Sequence, residues 1–125
     1  MGRGCKMSTV ADIRIPINFY QRAKTARLIS TCSSTGIIDL QKLWMYTAEH
    51  FPKGTLEGVT DDEIIMLAGI KTTNFIDVLE GLGFIQRDCG GWIEIDNWEV
   101  DQSWVVGAPE RSEKARKAAR ARHDK

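Results

Sequence analysis

The sequence offers few groups for chemistry: three cysteines, two histidines and no surplus of charge. Cys5, Cys32 and Cys89 are odd in number, widely spaced and without a C-x-x-C pair, which excludes a disulfide framework and predicts free, reduced thiols. His50 and His123 are distant from each other, and neither has a Cys or carboxylate cluster at ligand spacing, so no metal site is expected. No apolar run is long enough to span a bilayer. The opening Met1-Gly2-Arg3-Gly4-Cys5-Lys6 lacks the apolar region of a signal peptide, and Lys6 stands where a myristoylation motif needs Ser or Thr. A cytoplasmic protein with no membrane partner is expected. No nucleophile–base pair, glycine-rich phosphate loop or paired carboxylates appear, so neither an enzyme nor a cofactor is expected.

What is present fits one domain with a tail. The 125 residues are 42% apolar, enough for a single modest core. Charge is unevenly spread. Residues 110–125 hold seven Lys and Arg against three acids, +4, while residues 1–109 hold ten against fourteen, −4. A basic tail on a mildly acidic body points to a polyanionic partner.

The stretch 60–95, TDDEIIMLAGIKTTNFIDVLEGLGFIQRDCGGWIEI, carries the densest local signals. Thr60 and Glu63 have capping-box spacing, Asp61 and Asp62 favour the helix dipole, and Gly69 suits a left-handed helix end. Ile64, Ile65, Leu67 and Ala68 supply an apolar face. Thr72 and Thr73 are candidate caps for a second helix, with Phe75, Val78, Leu79 and Leu82 on one face and Gly83 as its stop. Phe84-Ile85, a Cys89-Gly90-Gly91 turn, and Trp92, Ile93 and Ile95 then read as a β-hairpin. Two short helices about a glycine-containing turn, followed by a hairpin, predict a mainly α protein with a small β-hairpin wing, a winged helix-turn-helix of the α+β class. The alternative is a small α+β subdomain with no nucleic-acid role.

Elsewhere, residues 1–11 read as a disordered N-terminus, 12–108 as the domain and 109–125 as a basic, helical tail or linker. Asp12-Ile13-Arg14-Ile15 alternates as a short strand does. Asn18 suits a cap for a helix over 19–30, with Phe19, Ala23, Ala26 and Ile29 on one face, and residues 31–34 compose a loop. From Thr35, the spacing of Ile37, Leu40, Leu43, Trp44, Thr47, Ala48 and Phe51 predicts a helix to about His50. Leu56 sits in a short extended segment that would join the wing as a third strand. The expected core is Trp44, Phe51, Ile64, Leu67, Phe75, Leu79 and Leu82. Trp92, Trp98 and Trp104 recur every six residues, either packing on the back of the domain or offering a base-stacking platform.

The combination of LQKLWMYTAEHFPKGTL, the capped helix, VLEGLGFI, and WEVDQSW followed by ERSEKARKAARAR resembles the N-terminal winged-helix domain of phage and prophage replication proteins, the replisome-organiser or replication-initiator group. More distantly it resembles the N-terminal domain of the primosomal protein DnaD. The resemblance covers about residues 13–122. It implies a DNA-binding module in replication initiation, with a helicase or helicase loader as further partner and homo-oligomerisation as an option. The candidate DNA-binding residues are Lys71, Thr72, Thr73 and Asn74 on the presumed recognition helix, Arg87 on the wing, and Arg111, Lys114, Arg116, Lys117, Arg120 and Arg122 in the tail. One departure matters: Asp77 and Glu80 leave the presumed recognition helix poor in cations, whereas phosphate neutralisation dominates non-specific DNA affinity. The alternatives are therefore a protein-interaction or oligomerisation domain of the same fold, or a small transcriptional regulator.

Overall fold

The computed structural model describes residues 12–107 together with Arg111, Glu113, Lys114, Arg116 and Lys117. The expected disordered segment 1–11 lies outside the described residues. The chain is mainly helical with a small three-stranded antiparallel sheet, consistent with the α+β class. Helix α1 spans Ala23–His50, α2 Asp61–Ala68, α3 Phe75–Leu82, α4 Trp98–Asp101 and α5 Ser103–Val106. Strands β1 (Thr55–Leu56), β2 (Ile85–Arg87) and β3 (Ile93–Ile95) form a sheet in the order β1-β3-β2.

The core gathers where α1, α2 and α3 meet the sheet. Leu28, Leu40, Leu43, Leu56, Ile64, Phe75 and Leu79 have no exposed surface, and Ile93 has almost none. Trp44 anchors α1, with its ring set edge-on to Phe19 at 5.5 Å between centroids. Leu56 takes its expected place opposite Ile93 in the third strand. Trp98 is buried and donates its indole N–H to the Pro52 carbonyl at 2.9 Å. That ring lies so close to Gly54 (φ +95°) that a Cβ there would stand 2.5 Å from it. Gly54 is thus required both by its backbone and by the ring above it.

Several sequence expectations need correction. Residues 12–15 pair with no strand. The Arg14 amide instead donates to Oε1 of the buried Gln102 at 2.9 Å, and the Gln102 side-chain N–H donates back to the Arg14 carbonyl. One amide side chain thus imitates a strand partner. Asn18 makes no side-chain cap, because a 3-10 turn over Phe19–Gln21 and the extended Arg22 (ψ 140°) precede α1. That interruption resets the helical phase. Thr25 and Leu28 are buried, while Ala23, Ala26 and Ile29 face out. The expected loop at 31–34 shrinks to a single break at Ser33 (φ 55°, ψ −161°), a conformation costly for a residue with a side chain. Leu67 is 59% exposed rather than core. Ile64, Ile65 and Ala68 span the face of α2 that meets α1, and Leu67 falls outside that arc. Phe51 and Leu82 are only half-buried against the core.

Candidate nucleic-acid interface

Helix α2 is fixed at its start by its own residues. The Glu63 amide donates to the Thr60 hydroxyl at 3.2 Å, and the Thr60 amide donates to the Glu63 carboxylate at 2.9 Å. Gly69 (φ +79°) ends the helix in the left-handed region, as its position predicts. Helix α3 begins differently. Neither Thr72 nor Thr73 caps it; its N-cap is Asn74, itself left-handed (φ 56°) and without a side-chain capping bond. The turn is instead held from α1. The carboxylate of Asp39, buried to 1% exposure, accepts from the Lys71 amide at 3.1 Å, the Thr72 amide at 2.8 Å and the Thr72 hydroxyl.

This arrangement sorts the candidate residues. Lys71, Thr73 and Asn74 present exposed side chains at the head of α3, while Thr72 is half-buried with its hydroxyl committed to Asp39. Asp77 and Glu80 are exposed along the same short helix. The surface therefore offers one cation and two hydrogen-bonding side chains beside two acids.

The hairpin turn is organised by Asp88, whose side chain accepts from the Gly90 amide at 3.0 Å and the Trp92 amide at 2.9 Å. Gly91 (φ +86°) completes the reversal. Arg87 on β2 reaches back to α2 and α3. Its guanidinium donates to both Asp61 oxygens, at 3.0 and 2.8 Å, and lies 3.5 Å from Glu80. Hydrogen bonding to Asp61 pushes the guanidinium still further above its already high range, and the Arg87 bond in turn holds the Asp61 carboxyl below the usual carboxylate range. Arg87 meets two acids within its own fold, so its charge is largely balanced before any partner arrives.

The tail residues also divide. Arg111 stacks on the Trp104 ring with its guanidinium carbon 3.5 Å from the centroid, and it donates to the Trp104 carbonyl. Arg14 lies 5.8 Å from the same ring. Arg116 pairs with Glu113 at 3.2 Å, and Lys114 and Lys117 are exposed. Arg120 and Arg122 lie outside the described residues. The three tryptophans do not share one role: Trp98 is buried, Trp92 half-buried, and Trp104 47% exposed beneath Arg111. Asp39, Asp88 and Gln102 escaped sequence reading. Asp88 alone had a local signal, an Asp two residues before a Gly-Gly pair.

A second surface lies between α1 and α2. A groove of about 480 Å³ there is lined by Met45, Tyr46, His50, Leu67 and Ala68 among others. Of its lining, Met45 and Leu67 are more than half exposed, as are Ile38 elsewhere on α1 and Met66 elsewhere on α2. Among the described residues, no three His, Cys, Asp or Glu side chains gather to hold a metal ion, and no helix is long and apolar enough to cross a membrane. No family model matches the chain, and neither a curated protein nor a solved structure does.

Proposed function

We propose that the chain is a winged-helix module that binds DNA in the initiation of phage-type replication. The observation that carries this reading is the head of α3, where a turn locked by Asp39 holds Lys71, Thr73 and Asn74 exposed side by side. The order α2, turn, α3 and β2–β3 hairpin supports the winged-helix assignment, with α3 as recognition helix and the hairpin as wing. Lys71 suits a phosphate or a guanine edge, and Asn74 suits an adenine edge. The replication role rests on the resemblance to replisome-organiser and initiator proteins. In this reading Lys114 and Lys117 add backbone contacts from the tail, because the −4 body supplies little attraction of its own.

Fluorescence anisotropy with labelled duplex and single strand, at two salt concentrations, tests the reading. Removing residues 110–125 is expected to weaken binding to all sequences alike and to flatten the salt dependence, by about one unit of slope per lost phosphate contact. Lys71→Ala and Asn74→Ala are expected to lower discrimination among duplexes by about 1–3 kcal/mol per bidentate base contact. Absence of binding to either nucleic acid at low salt overturns the proposal.

A further inference from the structure

The stripe of α1 that the described residues leave uncovered has a property that a random exposed face lacks. At 3.6 residues per turn, Ile38, Lys42, Met45 and Glu49 fall within about 60° of one another along the helix surface. Ile38 is 52% and Met45 51% exposed, and on the adjacent α2 Leu67, which lines the same groove as Met45, is 59% exposed. Met45 and Leu67 line one groove and Ile38 continues the α1 stripe, so three large apolar side chains share this side, more than the scattered exposure expected of a solvated surface. The charges within the stripe flank Met45, with Lys42 three residues before it and Glu49 four after it, so the pair is centred between Met45 and Tyr46. The Lys42 ammonium donates to the Gly69 carbonyl at 3.1 Å, which leaves it two further donors. Within one chain Lys42 and Glu49 are two turns apart, about 10 Å along the axis, and too distant to pair.

We propose that this face binds a second copy of the same chain, with the two α1 helices antiparallel across a two-fold axis near Met45. A two-fold axis brings a surface against itself, so the interface must be self-complementary. Reversing the helix about that axis sets Lys42 of each copy beside Glu49 of the other, with Met45 near the centre and Leu67 at its flank. A parallel pairing would place Lys42 against Lys42 and Glu49 against Glu49. Charge therefore selects the antiparallel arrangement. The proposal does not depend on DNA binding, since α3 and the hairpin take no part in it.

The test is sedimentation velocity on the full chain over about a hundred-fold range of concentration, where mass action drives a monomer–dimer equilibrium. The expected result is a dimer whose fraction rises with concentration. Met45→Glu, which sets two like charges against each other, is expected to leave a monomer with unchanged circular dichroism. Lys42→Glu and Glu49→Lys are each expected to lose the dimer, because each puts like charges together. Mixing these two variants is expected to restore it as a heterodimer, since both charge pairs are then attractive. A chain that stays monomeric throughout, associates without limit, or dimerises equally well as either single charge variant overturns the proposal.

Discussion

Helices α2 and α3 are each eight residues long, and each ends at a left-handed glycine, yet they spend their apolar residues in opposite ways. Helix α3 buries Phe75, Ile76 and Leu79 and shows solvent Asp77 and Glu80, with Thr73 and Asn74 at its head. Helix α2 buries only Ile64 and shows solvent Met66 and Leu67 beside its acids. The first is a polar surface on a saturated core; the second has apolar side chains beyond what the core can take. The difference teaches that adjacent helices of one small fold can be suited to different kinds of partner. Polar, hydrogen-bonding groups at the head of α3 are what the proposed nucleic-acid binding needs, and the apolar surplus on α2 and α1 is what the proposed self-association needs.

The contrast is sharpest for two leucines. Leu79 has no exposed surface, so Leu79→Ala is expected to cost roughly 2–5 kcal/mol through lost burial and a residual cavity. Leu67→Ala, at 59% exposure, is expected to change monomer stability by about 0.5 kcal/mol or less. Urea unfolding at low protein concentration measures both. Comparable losses at the two positions would erase the distinction between a saturated and a surplus face.

The two helices are also started by different means, and this decides the next effects. Asp39 holds the head of α3 from a helix more than thirty residues away in the chain, accepting three hydrogen bonds in a buried setting. Asp39→Ala orphans those donors and is expected to destabilise by roughly 1–3 kcal/mol. It should also loosen Lys71 and Asn74, visible as broadened amide resonances over 70–75. Thr60→Ala acts on a local cap and is expected to cost roughly 0.5–2 kcal/mol. A loss for Thr60→Ala larger than that for Asp39→Ala would reverse the order argued from burial.

Those two starts explain what the sequence makes legible. The capping box at Thr60–Glu63, the left-handed Gly69 and Gly83, and the third strand through Leu56 are written in spacings of a few residues, and all three stand in the structure. The head of α3 is not legible in this way, because Thr72 looks like a cap while its hydroxyl answers to Asp39, a residue no local pattern connects with it. The same holds for Gln102 with Arg14 and for Arg87 with Asp61 and Glu80. Before Ser33 the buried face of α1 is out of phase with the expected one, because Arg22 breaks the helical register between Phe19 and Thr25. Of the four residues expected to face a partner at the head of α3, Lys71, Thr73 and Asn74 are exposed, while Thr72 is half-buried against Asp39. No local pattern connects Arg87 with the two acids that balance it.

Arg87 also ties the two helices together, and the smallest expected effect concerns that tie. Its guanidinium bridges Asp61 at the start of α2 and Glu80 on α3. The Asp61 carboxyl sits below its ordinary range, chiefly through the hydrogen bond from Arg87. A carboxyl lowered on folding contributes stability that is fully present above its unfolded value, about pH 3.9, and is lost as pH falls through the native value. The Asp61 side chain is 42% exposed, so solvent screening reduces the pair to roughly 0.2–1 kcal/mol. Asp61→Asn also alters the helix dipole. A double-mutant cycle with Arg87→Met is therefore needed to isolate the pairwise coupling. The expected outcome is a coupling of that size near neutral pH, reduced by high salt and lost as pH falls through the lowered native value of Asp61. Coupling that persists at the lowest pH would mean that Arg87 joins α2 to α3 by packing its stem rather than by charge.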